Sequence, residues 1–273
     1  MTFGKWPERG GRMTVSRRHE VMHRDEMLSP GTVVTGPLYV EVKRRLTRSL
    51  SDGEWPQGCA LPSEIELARR YGVSIGTVRK GISELVTERV LVRQAGRGTF
   101  VATHDRDHML EKFFNIVDDE GVKEFPATRL LTFRSIKADP VVARRLRIAK
   151  GDPVFQLENL LSLRDRPVIH DRIWISRAVM KDLDESIFRD RDKTIFGLYQ
   201  SRYGVTVTRL EEWIRAARAE NKIAAALQVP PGSALLAIER VAYTYDDRPV
   251  EYRQRYVDTR HHRYLNVLGM RKG

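Results

Sequence analysis

The chain lacks most of what marks secreted, membrane-bound and hydrolytic proteins. Its 273 residues contain one cysteine, Cys59. No internal disulfide can form, no thiolate cluster is on offer to a metal, and the chain fits a reducing cytoplasm. Residues 1–35 are rich in glycine and arginine and contain no apolar run suited to a signal peptide or a membrane span. They are expected to form a disordered, solvated tail, and Met13, Met22 and Met27 could each serve as a start. The patterns G-x-x-x-x-G-K-[ST], H-E-x-x-H and G-x-S-x-G are missing, so nucleotide, zinc and serine hydrolysis lack support, and no cofactor is called for. His104 and His108 stand at a helical i, i+4 spacing, but nothing nearby completes a metal site. Negative charge is also short. The 48 basic residues outnumber 36 acidic ones for a net +12, a balance that favours a polyanionic partner without specifying a fold.

What is present centres on Leu61–Val86. Ser63 and Glu66 have the spacing of a capping box after Pro62, Ile65, Leu67 and Ala68 supply apolar positions, and Tyr71-Gly72 ends the pattern. Ser74 can cap a second helix, whose Val78, Ile82, Leu85 and Val86 recur at helical spacing. Its start carries small residues (Ser74, Gly76, Thr77) that let the backbone approach bases, followed by Arg79 and Lys80 placed for phosphates. Upstream, Leu38, Val42, Leu46 and Leu50 predict an inward helix face, with Lys43, Arg44, Arg45 and Arg48 outward. Downstream, the run around Gln94–Gly98 predicts a β-hairpin with Arg97 and Gly98 at its tip. Helix, helix-turn-helix and hairpin make a winged helix over residues 36–103.

Residues 104–126 read as a linker, with a short strand or helix at Met109–Val117 broken by Asp118-Asp119-Glu120-Gly121. Residues 127–268 read as a second domain containing an internal duplication at a shift of about 81 positions. Leu146 matches Leu227, Gly151 matches Gly232, Glu158 matches Glu239, and Asp165–Val168 matches Asp247–Val250. Each copy predicts strand, helix, strand, tight turn, strand. Asp139-Pro140 starts the first helix, and Gly151 or Pro230-Pro231-Gly232 ends it. Val154, Phe155, Leu157, Leu160, Leu161 and Leu163 are too apolar for a one-sided strand. The two units are expected to form one antiparallel sheet with helices on a face. Thr194–Tyr203 predicts an intervening helix stopped by Gly204. Trp174 and Tyr243 read as core. The fold class is α+β.

Four stretches in order, PLY at Pro37–Tyr39, LPSE at Leu61–Glu64, GVS-x-x-TVR at Gly72–Arg79 and GRGTFV at Gly96–Val101, closely resemble the GntR family of bacterial transcription regulators. The second half, through its two RPV turns, L-x-V-x-x-G, the Tyr203–Arg209 run and IERVAY at Ile238–Tyr243, resembles the UTRA domain of the HutC branch, which shares the fold of chorismate lyase. This resemblance implies a homodimer on an inverted-repeat operator in double-stranded DNA, released by a small-molecule effector bound in a cleft on the sheet. It implies no membrane and no enzymatic activity. Two departures stand out. The family's DNA-touching arginines in LPSE-R-E and VS-R-x-TVR are Ile65 and Ile75 here, and the phosphate-gripping arginines of phosphosugar-sensing relatives fall on Asn159 and Leu161. Asp171, just past the first RPV turn, and Glu251, at the corresponding place in the second copy, match carboxylates that relatives use for hydroxyls or amines. Arg209 matches a retained family arginine, and Arg253 shares the strand face of Glu251. If these four line one cleft, the effector carries an anionic group and a donor group; the alternative makes Arg209 and Glu251 structural ion-pair residues. A chorismate-lyase-like enzyme, and a DNA-binding protein without an effector, are the competing readings of the whole chain.

Overall fold

The computed structural model describes residues 36–88, 90–103, 113–191 and 194–267. The N-terminal tail, His104 and His108 lie outside them. In the first unit α1 (Leu38–Ser51), α2 (Glu64–Tyr71) and α3 (Ile75–Thr87) are followed by the antiparallel pair β1 (Leu91–Gln94) and β2 (Gly98–Val101). The capping box forms as the spacing predicts: Ser63 Oγ accepts from the Glu66 amide, and the Ser63 amide donates to the Glu66 carboxylate at 2.8 Å. Gly72, left-handed at φ 65°, closes α2 with its amide on the carbonyls of Ala68 and Arg69. Val42, Leu46, Leu67, Val78, Ile82 and Leu85 form the core. One expected core position, Leu38, faces out instead at 45% exposure. Leu38 opens the first turn of α1, where helical spacing still fits but no described element packs over it.

In the second unit each copy is a strand, a helix and a hairpin: β4 (Ala127–Lys137), α4 (Pro140–Leu146), β5 (Pro153–Leu163), β6 (Arg166–Ser176), then β7 (Arg209–Arg218), α7 (Asn221–Leu227), β8 (Ala234–Tyr243), β9 (Pro249–Asp258). Between the copies lie α5 (Glu185–Arg189) and α6 (Ile195–Tyr203), the latter capped by Thr194 and stopped at Gly204. The six strands form one antiparallel sheet in the order β4-β5-β6-β9-β8-β7. The two copies therefore join through their hairpin strands β6 and β9. Each repeat helix crosses to the other copy, α4 packing on β9 and α7 on β6. Both helices end earlier than the glycines suggest, on Arg147 (φ 52°) and Gln228 (φ 56°) in left-handed conformations. Gly151 and Gly232 shape the turns that follow.

Helices cover both faces of this sheet, not one. Phe155, Leu157, Ile173 and Ile175 pack under Phe188 of α5 and Phe196 and Tyr199 of α6. On the opposite face, Val154, Trp174, Val241 and Tyr252 pack under α4, and Leu160 and Leu235 under α7. We call the α5/α6 side the inner face and the α4/α7 side the outer face. Phe113 and Phe114 also pack against the inner face, and β3 (Ile116–Asp118) pairs with β10 (His262–Tyr264). The segment from Phe113 onward thus belongs to the fold of the second unit rather than to a free linker.

The winged helix depends on one close approach. A Cβ on Gly81 of α3 would lie 3.1 Å from Val42 Cγ1 and 3.2 Å from the Tyr39 carbonyl oxygen of α1. Gly81→Leu should therefore force the two helices apart and destabilise the unit by about 1–3 kcal/mol. A fall in urea midpoint should record it, and an unchanged midpoint would show that α1 shifts at no cost.

Candidate functional site

The exposed side of the winged helix gathers the residues that the helix-turn-helix pattern singles out. Ser74, Ile75 and Gly76 at the start of α3 are exposed, as are Arg79 and Lys80 one turn on and Arg97 and Gly98 on the hairpin. Ile75 is 40% and Ile65 50% exposed, so both isoleucines project outward. The hydroxyls are partly committed to caps. Ser74 Oγ accepts from the Thr77 amide at 3.1 Å and lies 2.8 Å from Thr77 Oγ1, while Ser63 is held by Glu66. Arg79 is not free either: its Nε donates to Glu64 at 2.8 Å, and Glu64 also takes Arg93 at 3.4 Å. Lys80 rests 3.9 Å above the Tyr39 ring, and Arg97 5.9 Å from the Phe100 ring. The result is a convex, cationic helix end whose charges are oriented before any phosphate arrives.

On the inner face of the sheet, period-2 alternation brings a second set together. Asn159 (β5) is opposite Asp171 (β6), which is opposite Arg255 (β9); Ile173 is opposite Arg253, and Ile175 opposite Glu251. Side chains at these paired positions share one face. Asp171, fully buried, accepts from Arg255 twice at 2.7 Å and from Arg253 at 3.0 Å. Arg253 also donates to Glu251 at 2.9 Å, and Tyr199 of α6 donates its hydroxyl to Glu251 at 2.7 Å. Farther along, Arg240 pairs with Glu212 at 2.6 Å and with the Phe113 carbonyl at 3.2 Å. Within this network Asn159 is fully buried, and neither atom of its carboxamide has a hydrogen-bond partner. A buried unpaired amide costs about 1–3 kcal/mol.

The electrostatics follow from burial and pairing. Burial alone would raise the Asp171 carboxyl, but the Arg255 and Arg253 guanidiniums outweigh it and hold the pKa down at about 2. Burial and the adjacent Glu251 carboxylate push the Tyr199 hydroxyl well up, so it stays a donor. Burial lowers Arg240 despite Glu212. Three arginines (240, 253, 255) face three carboxylates (Asp171, Glu212, Glu251), and with Arg191, itself lowered by burial and by the charge of Arg253, the described residues of this cluster carry one positive charge in excess.

Three expectations need correction. Arg209 lies on the other face of the sheet. It opposes Tyr243 in register, stacks 4.0 Å over that ring and pairs with Asp247 at 2.9 Å and Glu211 at 2.6 Å; the arrangement is that of a structural ion pair. Leu161 shares the inner face but packs with Leu163, Ile169 and Val257, with no polar function. Counting from Pro167 and Pro249, the counterpart of Asp171 in the second copy is Arg253, not Glu251. Arg240, Arg255 and Tyr199 went unpredicted. Arg255 had a signal, since Glu251, Arg253 and Arg255 alternate on one apolar strand. Tyr199 had none, because only tertiary packing brings α6 over Glu251.

The two units touch through this same region. Gln200, next to Tyr199, donates to the carbonyl of Ala102 just past β2 at 3.1 Å and to Thr206 at 3.2 Å. Tyr245, in the turn between β8 and β9, is buried in the winged-helix core. A cavity of about 650 Å³ lined by Lys43, Arg44, Glu88, Arg209 and Asp247 flanks it.

A winged helix with an exposed recognition helix, joined to a duplicated sheet domain with a buried charged cluster on its inner face, defines a DNA-binding transcription regulator with its own effector-sensing domain. Comparison with known proteins agrees. Residues 38–101 match the model of the bacterial regulatory proteins of the gntR family, and residues 123–263 match the UTRA domain. The chain belongs to the gntR family, in its UTRA-containing branch. It is 32% identical over 215 residues to the "Probable fructoselysine utilization operon transcriptional repressor" of Escherichia coli O157:H7, covering 78% of this chain and 87% of that one. It is 30% identical over 209 residues to the histidine utilization repressor of Pseudomonas aeruginosa, covering 76% and 82%. Among solved structures, the ligand-binding domain of a GntR-family regulator from Bordetella bronchiseptica aligns with TM-score 0.55 and 32% identity over 58% of this chain and 98% of that one. Such relatives are regulators and not enzymes. Among the described residues no helix is long and apolar enough to cross a membrane.

Because folding holds the Asp171 carboxyl at about 2, below its ordinary 3.8, its contribution to stability should be complete above pH 4 and lost as the pH falls from there toward 2. Asp171→Asn leaves two buried guanidiniums with one carboxylate fewer and should cost about 3–5 kcal/mol at neutral pH. Melting temperatures from pH 2 to 7 should show the gap between wild type and variant narrowing in acid. A constant gap would remove Asp171 from the acid-labile set.

Proposed function

We propose that the chain is a cytoplasmic repressor in which residues 36–103 bind an inverted-repeat operator as a homodimer, and the second unit, from Phe113 onward, binds a small anionic or zwitterionic metabolite that releases the DNA. Ser63, Ile65, Ser74, Ile75, Gly76, Thr77, Arg79, Lys80, Arg97 and Gly98 form the DNA surface in this reading, and Asn159, Asp171, Glu251 and Arg253 the effector cleft. The observation that carries the sensing half is the unpaired, buried Asn159 amide beside a cluster with one excess positive charge. An amide offers both a donor and an acceptor, the excess cation favours a carboxylate, and Glu251 suits an ammonium or hydroxyl. Two relatives are named for the use of fructoselysine and of histidine; both compounds are amino acids, which supports a zwitterion. Without arginines at Asn159 and Leu161, a phosphosugar is not favoured at that place.

Release follows a short path in this proposal. A ligand competing for Glu251 alters its bond from Tyr199, Tyr199 moves α6, and the neighbouring Gln200 grips the chain at Ala102 where the wing ends. Gel shifts on an operator fragment, challenged with amino acids and their sugar conjugates, test the whole reading. DNA binding that no such compound weakens would overturn it.

Glu251→Gln should raise the effector concentration needed for release on the order of tenfold or more, the worth of a charge-assisted hydrogen bond, with operator affinity nearly intact. Arg209→Ala, on the other face of the sheet, should leave effector affinity unchanged. Equal loss of effector response in both variants would contradict the separation of the two residues.

Isoleucine at position 75 offers the major groove a methyl-bearing surface, whose natural complement is the thymine methyl, whereas arginine clamps guanine with two bonds worth about 1–3 kcal/mol of discrimination. Site selection from a random pool should return half-sites richer in A·T for the wild type and G-containing ones for Ile75→Arg. Identical G-centred sites from both would mean that position 75 does not read bases.

A further inference from the structure

The two edges of the six-stranded sheet are built differently. β4 carries a bulge between Leu130 and Thr132 and presents Arg129, Arg134 and Lys137 to solvent. A bulge and charges of one sign are devices that keep an edge from pairing with another chain. β7 lacks the bulge. It pairs with β8 without a register shift from Arg209 to Arg218, contains no proline, and exposes Trp213 at 42% and Ile214 at 47%. Its charges are of both signs, with Glu211 and Glu212 ahead of the two large apolar residues and Arg215 and Arg218 after them. A straight edge with exposed apolar residues at its centre is a template for a further strand.

We propose that this strand is β7 of a second copy, paired antiparallel about a two-fold axis through Trp213, so that the two sheets become continuous. The inference rests on the homodimer of the proposed function and says where its interface lies. A two-fold axis normal to the sheet keeps each face on its own side and pairs residues of equal parity across the axis. Centring on Glu211, Glu212 or Arg215 would set like charges directly opposite each other, which is destabilising. Centring on Ile214 leaves Glu211 opposite the partner's Ala217 and Trp213 opposite the partner's Arg215, with no ion pair. Centring on Trp213 sets Glu211 opposite the partner's Arg215, and by symmetry repeats that pair on the other side of the axis. It also stacks the two indoles at the centre.

The groups involved have capacity for this. Glu211 already accepts from Arg209 at 2.6 Å and from Tyr243 at 2.8 Å, but its side chain is 41% exposed, and a carboxylate can accept about four hydrogen bonds. Arg145 covers the Trp213 ring at 4.1 Å, which fixes the indole and leaves its other side to the partner. Edge pairing also satisfies the outward backbone groups of β7, which gives affinity, while the Glu211–Arg215 pairs fix the register.

The test uses the full chain with Cys59→Ser, which removes its one native thiol. Trp213→Cys, Ile214→Cys and Arg134→Cys are each oxidised mildly and run without reductant. Directly opposed antiparallel residues have Cα atoms about 4.5–5.5 Å apart, inside the disulfide range of about 4.4–6.8 Å. A covalent dimer at position 213, little at 214 and none at 134 is expected. In uncross-linked protein, Arg215→Glu should weaken dimerisation on the order of tenfold or more in sedimentation, and adding Glu211→Arg should restore it. Circular dichroism confirms that each variant folds; should Trp213→Cys fail to fold, the charge pair decides. A dimer that cross-links at 134, at 214 in preference to 213, or at none of the three overturns this interface and leaves the homodimer standing. So does a dimer indifferent to Arg215→Glu. A wild type that sediments as monomer with and without DNA overturns the homodimer itself.

Discussion

The structure of the second unit turns on one fully buried carboxylate. Asp171 lies on β6, the hairpin strand of the first copy, and its partners Arg253 and Arg255 lie on β9, the hairpin strand of the second. The bond therefore spans the junction where the duplicated halves meet. Burying a charge is tolerable only when its partners are in place, and here they come from a strand whose register must be right to the residue. A slip of one position would turn Arg253 and Arg255 to the outer face, and Asp171 would be left alone among Leu157, Ile173 and Ile175. An apolar substitute of the same volume could be as stable or more so. What the charges add is register.

The outer face meets the same demand differently. There α4 and α7 each cross to the opposite copy, and Arg145 reaches Glu239 at 2.9 Å while Lys222 reaches Glu158 at 2.9 Å. Glu158 and Glu239 are equivalent residues of the repeat, so a pseudo-symmetric pair of half-buried bridges ties each helix to the other copy's sheet position. On this face the charges sit close to water and contribute little individually. On the inner face they are sealed beneath α6. One duplicated scaffold thus carries exposed-side bridges on one face and a sealed charge network on the other, and the copies differ within that network: the counterpart of Asp171 is Arg253.

Much of this was legible in the sequence wherever the signal is local. The capping box at Ser63, the glycine stops at Gly72 and Gly204 and the hairpin at Gln94–Gly98 depend on residues within a few positions of each other, and they appear where the spacing puts them; the repeat shows because whole stretches recur in order. Arg209 stayed open between a cleft residue and a structural ion pair because a resemblance assigns a residue to a position but not to a face. That needs strand register, which is set by pairing with Tyr243 rather than by anything near Arg209 in the chain. Ile65 read both as an apolar helix position and as a DNA-facing one because helical spacing cannot tell a buried stripe from a partner-facing one on a helix of eight residues. Tyr199, Gln200 and Tyr245 link the charged inner face to the winged helix, and each looks ordinary in sequence because its partner is far away in the chain.

That contact limits what an effector can accomplish. A ligand shifts a two-state equilibrium only by the difference in its affinity for the two states, and moving a protein from almost fully DNA-competent to almost fully released takes about 5.5 kcal/mol of such difference. Groups that are saturated in both states contribute nothing to it. Asp171, held by two arginines in three bonds, is a poor source of differential affinity because breaking it costs as much as a ligand could return. Glu251 is a better one: it is shared between Arg253 and a single hydroxyl from α6, and exchanging that hydroxyl for a ligand donor costs one neutral donor bond. Asn159 adds to it, since its amide begins with no bonds to lose. In the function proposed above, the effector's grip on the DNA-binding unit is therefore concentrated at Glu251 and Asn159, with Asp171 holding the sheet on which they sit.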